Sequence, residues 1–356
     1  MMRSTLVSYQ PPSWAQNLQN IPTSIVRLAM TPTPIQEWKL PSTPSDFKVY
    51  IKRDDLTGSV LTGNKVRKLE FILGEAIKSS CKHVITTGSW NSNHCRATAV
   101  ASVEVGLRPH LLIRVKNQDI SDRAHEGNMF LNKLVGAEIY PITPGEVDAQ
   151  QQMSELAAEI QAKTGEKSHL VPLGGSDMIG LWGYLQCFEE IRQQGVEFDD
   201  LLCVCGSSGT FCGLAIANYL CGSPYRVHGV RVVDRGNVQQ KLKDKMEGLG
   251  VSAIDWELHA NLYDEYMGPG YGISTPPQLD YTAKVAAATG IILDTTYTGK
   301  AAYGMYELMN NRPEVFKGRR ILFLHSGGSI GLYNQSVIDK LLPFVPGSRQ
   351  PNATSI

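Results

Sequence analysis

Apolar residues Leu69, Ile72, Leu73, Ala76 and Ile77 recur at i, i+3, i+4, i+7 and i+8. That spacing predicts an amphipathic helix beginning near Lys65, just after the turn signal Gly63-Asn64. Short apolar runs at Phe47–Lys52, His83–Thr87, His110–Val115, Glu138–Tyr140, Leu201–Cys205 and Arg319–His325 read as strands. Helical patterns separate them: Ala97 to Glu104 ending at Gly106, Glu146 to Lys163, and Phe211 to Leu220. Gly290 to Lys300 reads as a strand running into a helix, and Gly88-Ser89 as a turn. Strands alternating with helices predict an α/β fold with mainly parallel sheets covered by helices on both faces. Residues 1 to 50 are Pro-rich with little periodicity, and residues 346 to 356 read as a flexible tail.

Composition narrows the picture. A chain of 356 residues is long for one domain. With 34 basic and 34 acidic residues it has no electrostatic footprint for nucleic acid or an anionic membrane. No apolar run approaches the length of a membrane span. The seven cysteines follow no metal-ligand spacing and read as buried free thiols of a reducing compartment, so no metal is expected.

Candidate chemistry sits at helix starts. Lys65 opens a helix, where the dipole is positive, and Arg67 and Lys68 follow it; each effect lowers an amine pKa. A lysine so tuned is a good nucleophile toward an aldehyde. The plain alternative is a solvated basic edge. Asn91, Ser92 and Asn93 fall at the next helix start, where free amides suit a carboxylate; plain capping is the alternative. Gly206-Ser207-Ser208-Gly209-Thr210 links a strand to a helix and offers amides and hydroxyls to a phosphate. Its glycine spacing does not match the dinucleotide fingerprint. Gly268, Gly270 and Gly272 surround Tyr271 in a loop whose backbone can approach a ligand.

Taken together, R-D-D at Arg53–Asp55, G-N-K-x-R-K-L-E-F at Gly63–Phe71 and S-N-H-x-R at Ser92–Arg96 resemble the pyridoxal-phosphate (PLP) enzymes of the 1-aminocyclopropane-1-carboxylate (ACC) deaminase and D-cysteine desulfhydrase family. The resemblance runs from about Pro12 to Leu342. It implies a type II PLP fold with a large domain of residues 1–65 and 176–345, a small inserted domain of 66–175, and a site between them. It also implies that Lys65 carries PLP as a Schiff base and that Gly206–Thr210 with Lys68 holds the phosphate. Asn93, Thr298 and Ser326 would contact the cofactor. Substrate would meet Asn91, Ser92, Asn93 and His94, and the Cα proton would go to Lys65 or Ser92, with Tyr271 and Tyr297 lining the site.

Within the family, deaminases place a glutamate at the position of Thr298 and a leucine at that of Ser326. Hydroxyls at both suit a weaker electron sink, hence β-elimination of D-cysteine to pyruvate, ammonia and hydrogen sulfide. Other readings are D-serine dehydratase, serine or aspartate racemase, ACC deaminase, a non-catalytic PLP-binding protein, or a phosphate-ligand binder without PLP. Departures from the family pattern are Trp90 and Asn91 before Ser92, Thr295-Thr296 before Tyr297, and Asp177. A homodimer in the cytoplasm is expected. The alternative compartment is the mitochondrion, since the first 30 residues contain Arg3 and Arg27 and no acid.

Overall fold

The computed structural model describes residues 6–115, 125–143, 148–252 and 254–346; the expected tail from 347 on lies outside them. The chain builds two sheets in an interrupted order. Strands β1 (Leu6–Ser8) and β2 (Ser24–Val26) pair with each other, and β3 (Ile35–Glu37) and β4 (Lys48–Lys52) form one edge of a six-stranded sheet. After helix α1 (Lys65–Lys78) the chain leaves to make a second sheet from β5 (His83–Ser89), β6 (Arg108–Arg114), β7 (Glu138–Ile142) and β8 (Ser168–Val171). Helices α2 (Asn93–Glu104), α3 (Gly127–Leu134) and α4 (Ala149–Thr164) connect them, and the strand order is β7-β6-β5-β8, all parallel.

Helix α5 (Met178–Gln193) carries the chain back to the first sheet. That sheet is completed by β9 (Asp200–Cys205), α6 (Gly209–Leu220), β10 (Arg226–Arg231), α7 (Val238–Gly248), β11 (Ala260–Tyr263), α8 (Pro276–Thr289), α9 (Thr298–Asn311) and β12 (Arg320–Leu324). A last short helix, α10, spans Gln335–Leu341. The order is β11-β10-β9-β12-β4-β3, parallel except for the β3–β4 edge.

Side-chain alternation on the strands shows why both faces are covered. On β9, Leu201, Cys203 and Cys205 join the core with α5 and α6, while Leu202 and Val204 join the core with α8 and α9. On β12, Leu322 and Leu324 face the first core, and Ile321 and Phe323 the second. Strands buried on both faces read as continuous apolar runs, which is how the sequence shows them. Among the described residues no helix is long and apolar enough to cross a membrane. All seven cysteines are free thiols, six of them buried.

Two expected elements differ. Residues 290–297 form no strand, because both neighbours of β12 are already taken, by β9 and β4. The segment is instead a loop held by Ile292 O, which bonds His325 Nε2 at 3.1 Å, and by Asp294. Gly88 and Ser89 stay in β5, paired with Ile113 and Arg114, so the turn comes one step later.

Candidate active site

Lys65 is the first residue of α1, and backbone contact fixes its position. Gly63 has φ +100°, and a side chain there would put Cβ 2.7 Å from Ser326 O. Only glycine tolerates both conditions. The neighbouring Asn64 N donates to Ser326 O at 3.1 Å, and Asn64 Nδ2 donates to Thr210 Oγ1 at 3.0 Å. The helix start is therefore tied to the loops that follow β12 and β9.

The Lys65 amine lines the pocket, and its pKa is pushed down to about 8, first by burial and then by the Arg96 guanidinium. The residues expected to do this behave differently. Arg67 turns into the protein, where Nε and Nη2 grip Asp54 at 2.8 Å each and Nη1 meets Glu190 at 2.9 Å. Lys68 is also buried and donates to Gly174 O at 3.2 Å and Ser176 Oγ at 3.3 Å. There is no solvated basic edge. The cation that matters is Arg96 on α2, fully buried, bonded to Val60 O, Thr62 O and Asn128 Oδ1.

Gly206 to Thr210 lines the same pocket. The amides of Ser207, Ser208, Gly209 and Thr210 have no acceptor among the described residues. Ser208 takes a left-handed φ of +75°, so the loop curls as it enters α6. Four free amides at a helix N-terminus form a cradle that can hold a phosphate. The β8–α5 connection closes it: Ser176 Oγ and Ser207 Oγ lie 2.7 Å apart, and a Cβ on Gly209 would fall 2.6 Å from Lys68 Nζ. Lys68 thus lies beneath the cradle and does not line the pocket.

On the opposite wall, Ser92 is the N-cap of α2 and its Oγ accepts from Cys95 N at 3.1 Å. Asn93 and His94 line the pocket with it. Asn93 Oδ1 accepts from Asn128 Nδ2 at 3.0 Å. His94 is buried and bonds Thr86 Oγ1 through Nε2 at 2.8 Å. Burial, then Lys65 and Lys68, hold its pKa well below the usual histidine value, so it stays neutral. Asn91 is placed differently: its Nδ2 donates to Gly331 O at 2.8 Å, and it is not among the pocket's lining residues.

Tyr271 and Tyr297 complete the site, their hydroxyls 2.6 Å apart, with Ser89 Oγ 3.3 Å from Tyr271. Burial, then Tyr271, raises the Tyr297 pKa. Lys300 on α9 holds the Tyr271 loop by donating to Met267 O at 2.6 Å and Gly270 O at 3.1 Å. Ser326 reaches the pocket. Thr298 is not among its lining residues. It is fully buried, its hydroxyl donates to Asp294 Oδ1 at 2.8 Å and it accepts from Asp294 N at 2.9 Å. The Asp294 carboxylate gathers the amides of Thr296, Tyr297 and Thr298. That arrangement turns the threonine inward.

Two lining residues carried no local signal, Arg114 at the end of β6 and Arg235 beyond β10. A roomier surface cavity of about 890 Å³ lies among Trp256, Tyr225 and Phe316, and no residue singled out from the sequence lines it.

The family model described as pyridoxal-phosphate dependent enzyme matches residues 26–327. The chain belongs to this family. As a PLP enzyme it is 39% identical over 339 residues to the bifunctional D-cysteine desulfhydrase/1-aminocyclopropane-1-carboxylate deaminase, mitochondrial, of Arabidopsis thaliana, covering 92% of this chain and 84% of that one. A putative 1-aminocyclopropane-1-carboxylate deaminase of Thermotoga maritima is 37% identical over 320 residues, 87% of this chain and 98% of the relative. The crystal structure of an ACC deaminase homologue matches with a TM-score of 0.77 and 34% identity, over 90% of this chain and 96% of that one. The chain is therefore a PLP-dependent lyase of the ACC deaminase and D-cysteine desulfhydrase family, with the type II fold. The residues present fit the cofactor: an amine with a lowered pKa and a cradle of free amides line one pocket.

Proposed function

We propose that this PLP enzyme is a D-cysteine desulfhydrase. The observation that supports it most is that, among the described residues, no aspartate or glutamate lines the pocket. Of the two positions that separate the family's branches, only 326 reaches the pocket, and it offers a hydroxyl. A hydroxyl does not hold a full pyridinium charge, and a weaker sink suits elimination of a good leaving group.

PLP, when bound, supplies an electron sink next to Cα. Lys65 would hold its aldehyde carbon, and the amides of Ser207 to Thr210 with the Thr210 hydroxyl would hold its phosphate. The substrate carboxylate would lie on the α2 N-terminus at Ser92-Asn93. Lys65 or Ser92 would take the Cα proton. Ser92 Oγ already accepts an amide at a helix N-terminus, which stabilises negative charge on that oxygen. The Tyr271–Tyr297 pair would pass a proton to the departing sulfur. The balance is D-cysteine plus water to pyruvate, ammonia and hydrogen sulfide. The two sheets are read as two domains split near residues 65 and 175, in a cytoplasmic homodimer; the plant relative's name places that protein in mitochondria.

The test is sulfide and pyruvate release from purified holoenzyme with D-cysteine, L-cysteine and ACC in parallel. Sulfide from D-cysteine with no product from ACC supports the reading. ACC cleavage at a comparable rate overturns it in favour of a bifunctional enzyme, as the plant relative's name describes that protein; ACC cleavage alone transfers it to the deaminase reading.

A further inference from the structure

Arg114 and Arg235 reach the pocket from different sheets, one at the last residue of β6 and the other four residues past the end of β10. They are close enough that the Arg235 charge acts on Arg114, and the Arg235 guanidinium carbon lies 5.9 Å from the Tyr271 ring centre. Among the described residues, the other groups that act on Arg114 are Cys95, Tyr271 and Tyr297, none of them a carboxylate. Two half-buried guanidiniums that repel each other beside a pocket with no carboxylate among its described lining residues carry a cost, which an anion placed between them relieves.

The phosphate and the α-carboxylate are otherwise provided for. The cradle at Ser207–Thr210, with Lys68 beneath it, takes the phosphate, and the α2 N-terminus takes the α-carboxylate. The arginines lie at the tyrosine pair, where the substituent on the substrate's Cβ would be.

We infer that Arg114 and Arg235 form a subsite for an anionic β-substituent, so that this pocket selects amino acids whose side chain carries or develops negative charge at that atom. A thiolate leaving from Cβ with the C–S electron pair meets that requirement, and the hydrocarbon ring of ACC does not. The inference rests on the catalytic reading of the pocket but concerns only binding.

Aspartate and asparagine have the same shape and differ by one charge, so they are suitable probes. Each is titrated into holoenzyme, in both hands, by equilibrium dialysis. The expected result is that aspartate of one hand binds on the order of tenfold tighter than asparagine of that hand, the scale of one charge-assisted hydrogen bond. The preference should shrink in R114Q and R235Q and vanish in the double variant, while asparagine binding holds. Equal binding of the two probes by the unaltered enzyme overturns the subsite. So does a preference that survives in the double variant, or an equal loss of both probes there, which would put the arginines on the α-carboxylate. D-cysteine turnover measured on the same samples separates the two proposals: absent turnover with an intact aspartate preference sinks the desulfhydrase reading and leaves the subsite standing.

Discussion

Lys65 and Lys300 have amine pKa values pushed to about 8, in both cases chiefly by burial. About a tenth of such an amine is neutral at pH 7. The two lysines nevertheless do different work. Lys300 spends its protons on the carbonyls of Met267 and Gly270 and draws the Tyr271 loop onto α9. Lys65 stands at the head of α1, lining the pocket, with Arg96 as the charge that acts on it. A lowered pKa thus marks desolvation, and the neighbourhood decides whether the lone pair is available for chemistry.

The largest effect should come from Lys65→Ala. It removes the amine proposed to hold the cofactor, so the visible absorption of covalently held PLP and the turnover should both disappear. Retained covalent absorption in that variant would erase the distinction between the two lysines. Ser92→Ala should keep that absorption and lower kcat by about 10²-fold or more, the scale of one general acid–base group. Unchanged kcat would remove Ser92 from the proton path and leave Lys65 alone in it.

Lys300→Met should also keep the covalent absorption. It strips the donor from two carbonyls, so thermal unfolding should show a loss of roughly 1–3 kcal/mol. A loosened Tyr271 should cost about tenfold in kcat/KM. Loss of the absorption would mean that Lys300 serves the cofactor directly. The smallest effect is on pH dependence. The neutral amine is the nucleophile, so capture of PLP by cofactor-free protein should speed up as pH rises through about 8 and level off above it, in both the unaltered protein and Lys300→Met. A profile flat from pH 7 to 9 would contradict the lowered pKa of Lys65.

The sequence exposed those parts of the site that depend on local turn chemistry. Gly63-Asn64 before a 3.6-residue period placed Lys65 at a helix start, Ser92 reads as an N-cap, and Gly206–Thr210 reads as a strand-to-helix loop; each is decided within a few residues. What it hid is set by tertiary neighbours. Thr298 turns inward because Asp294, four residues before it, gathers the amides of that turn. Asn91 is drawn off by Gly331, 240 positions away. Arg67 looked like part of a basic edge and is buried against Asp54 and Glu190. Arg114 and Arg235 end up near each other only because two sheets meet there, and no window of sequence contains both. The apolar run after Gly290 has strand composition, but it lies beside β12, whose two sides are already taken by β9 and β4.

The most direct measurement is to reduce the holoenzyme with borohydride, digest it and locate the pyridoxyl group by mass spectrometry. The account predicts the label on the peptide bearing Lys65, at that residue. A label on Lys68 or Lys300, with Lys65 unmodified, would contradict it.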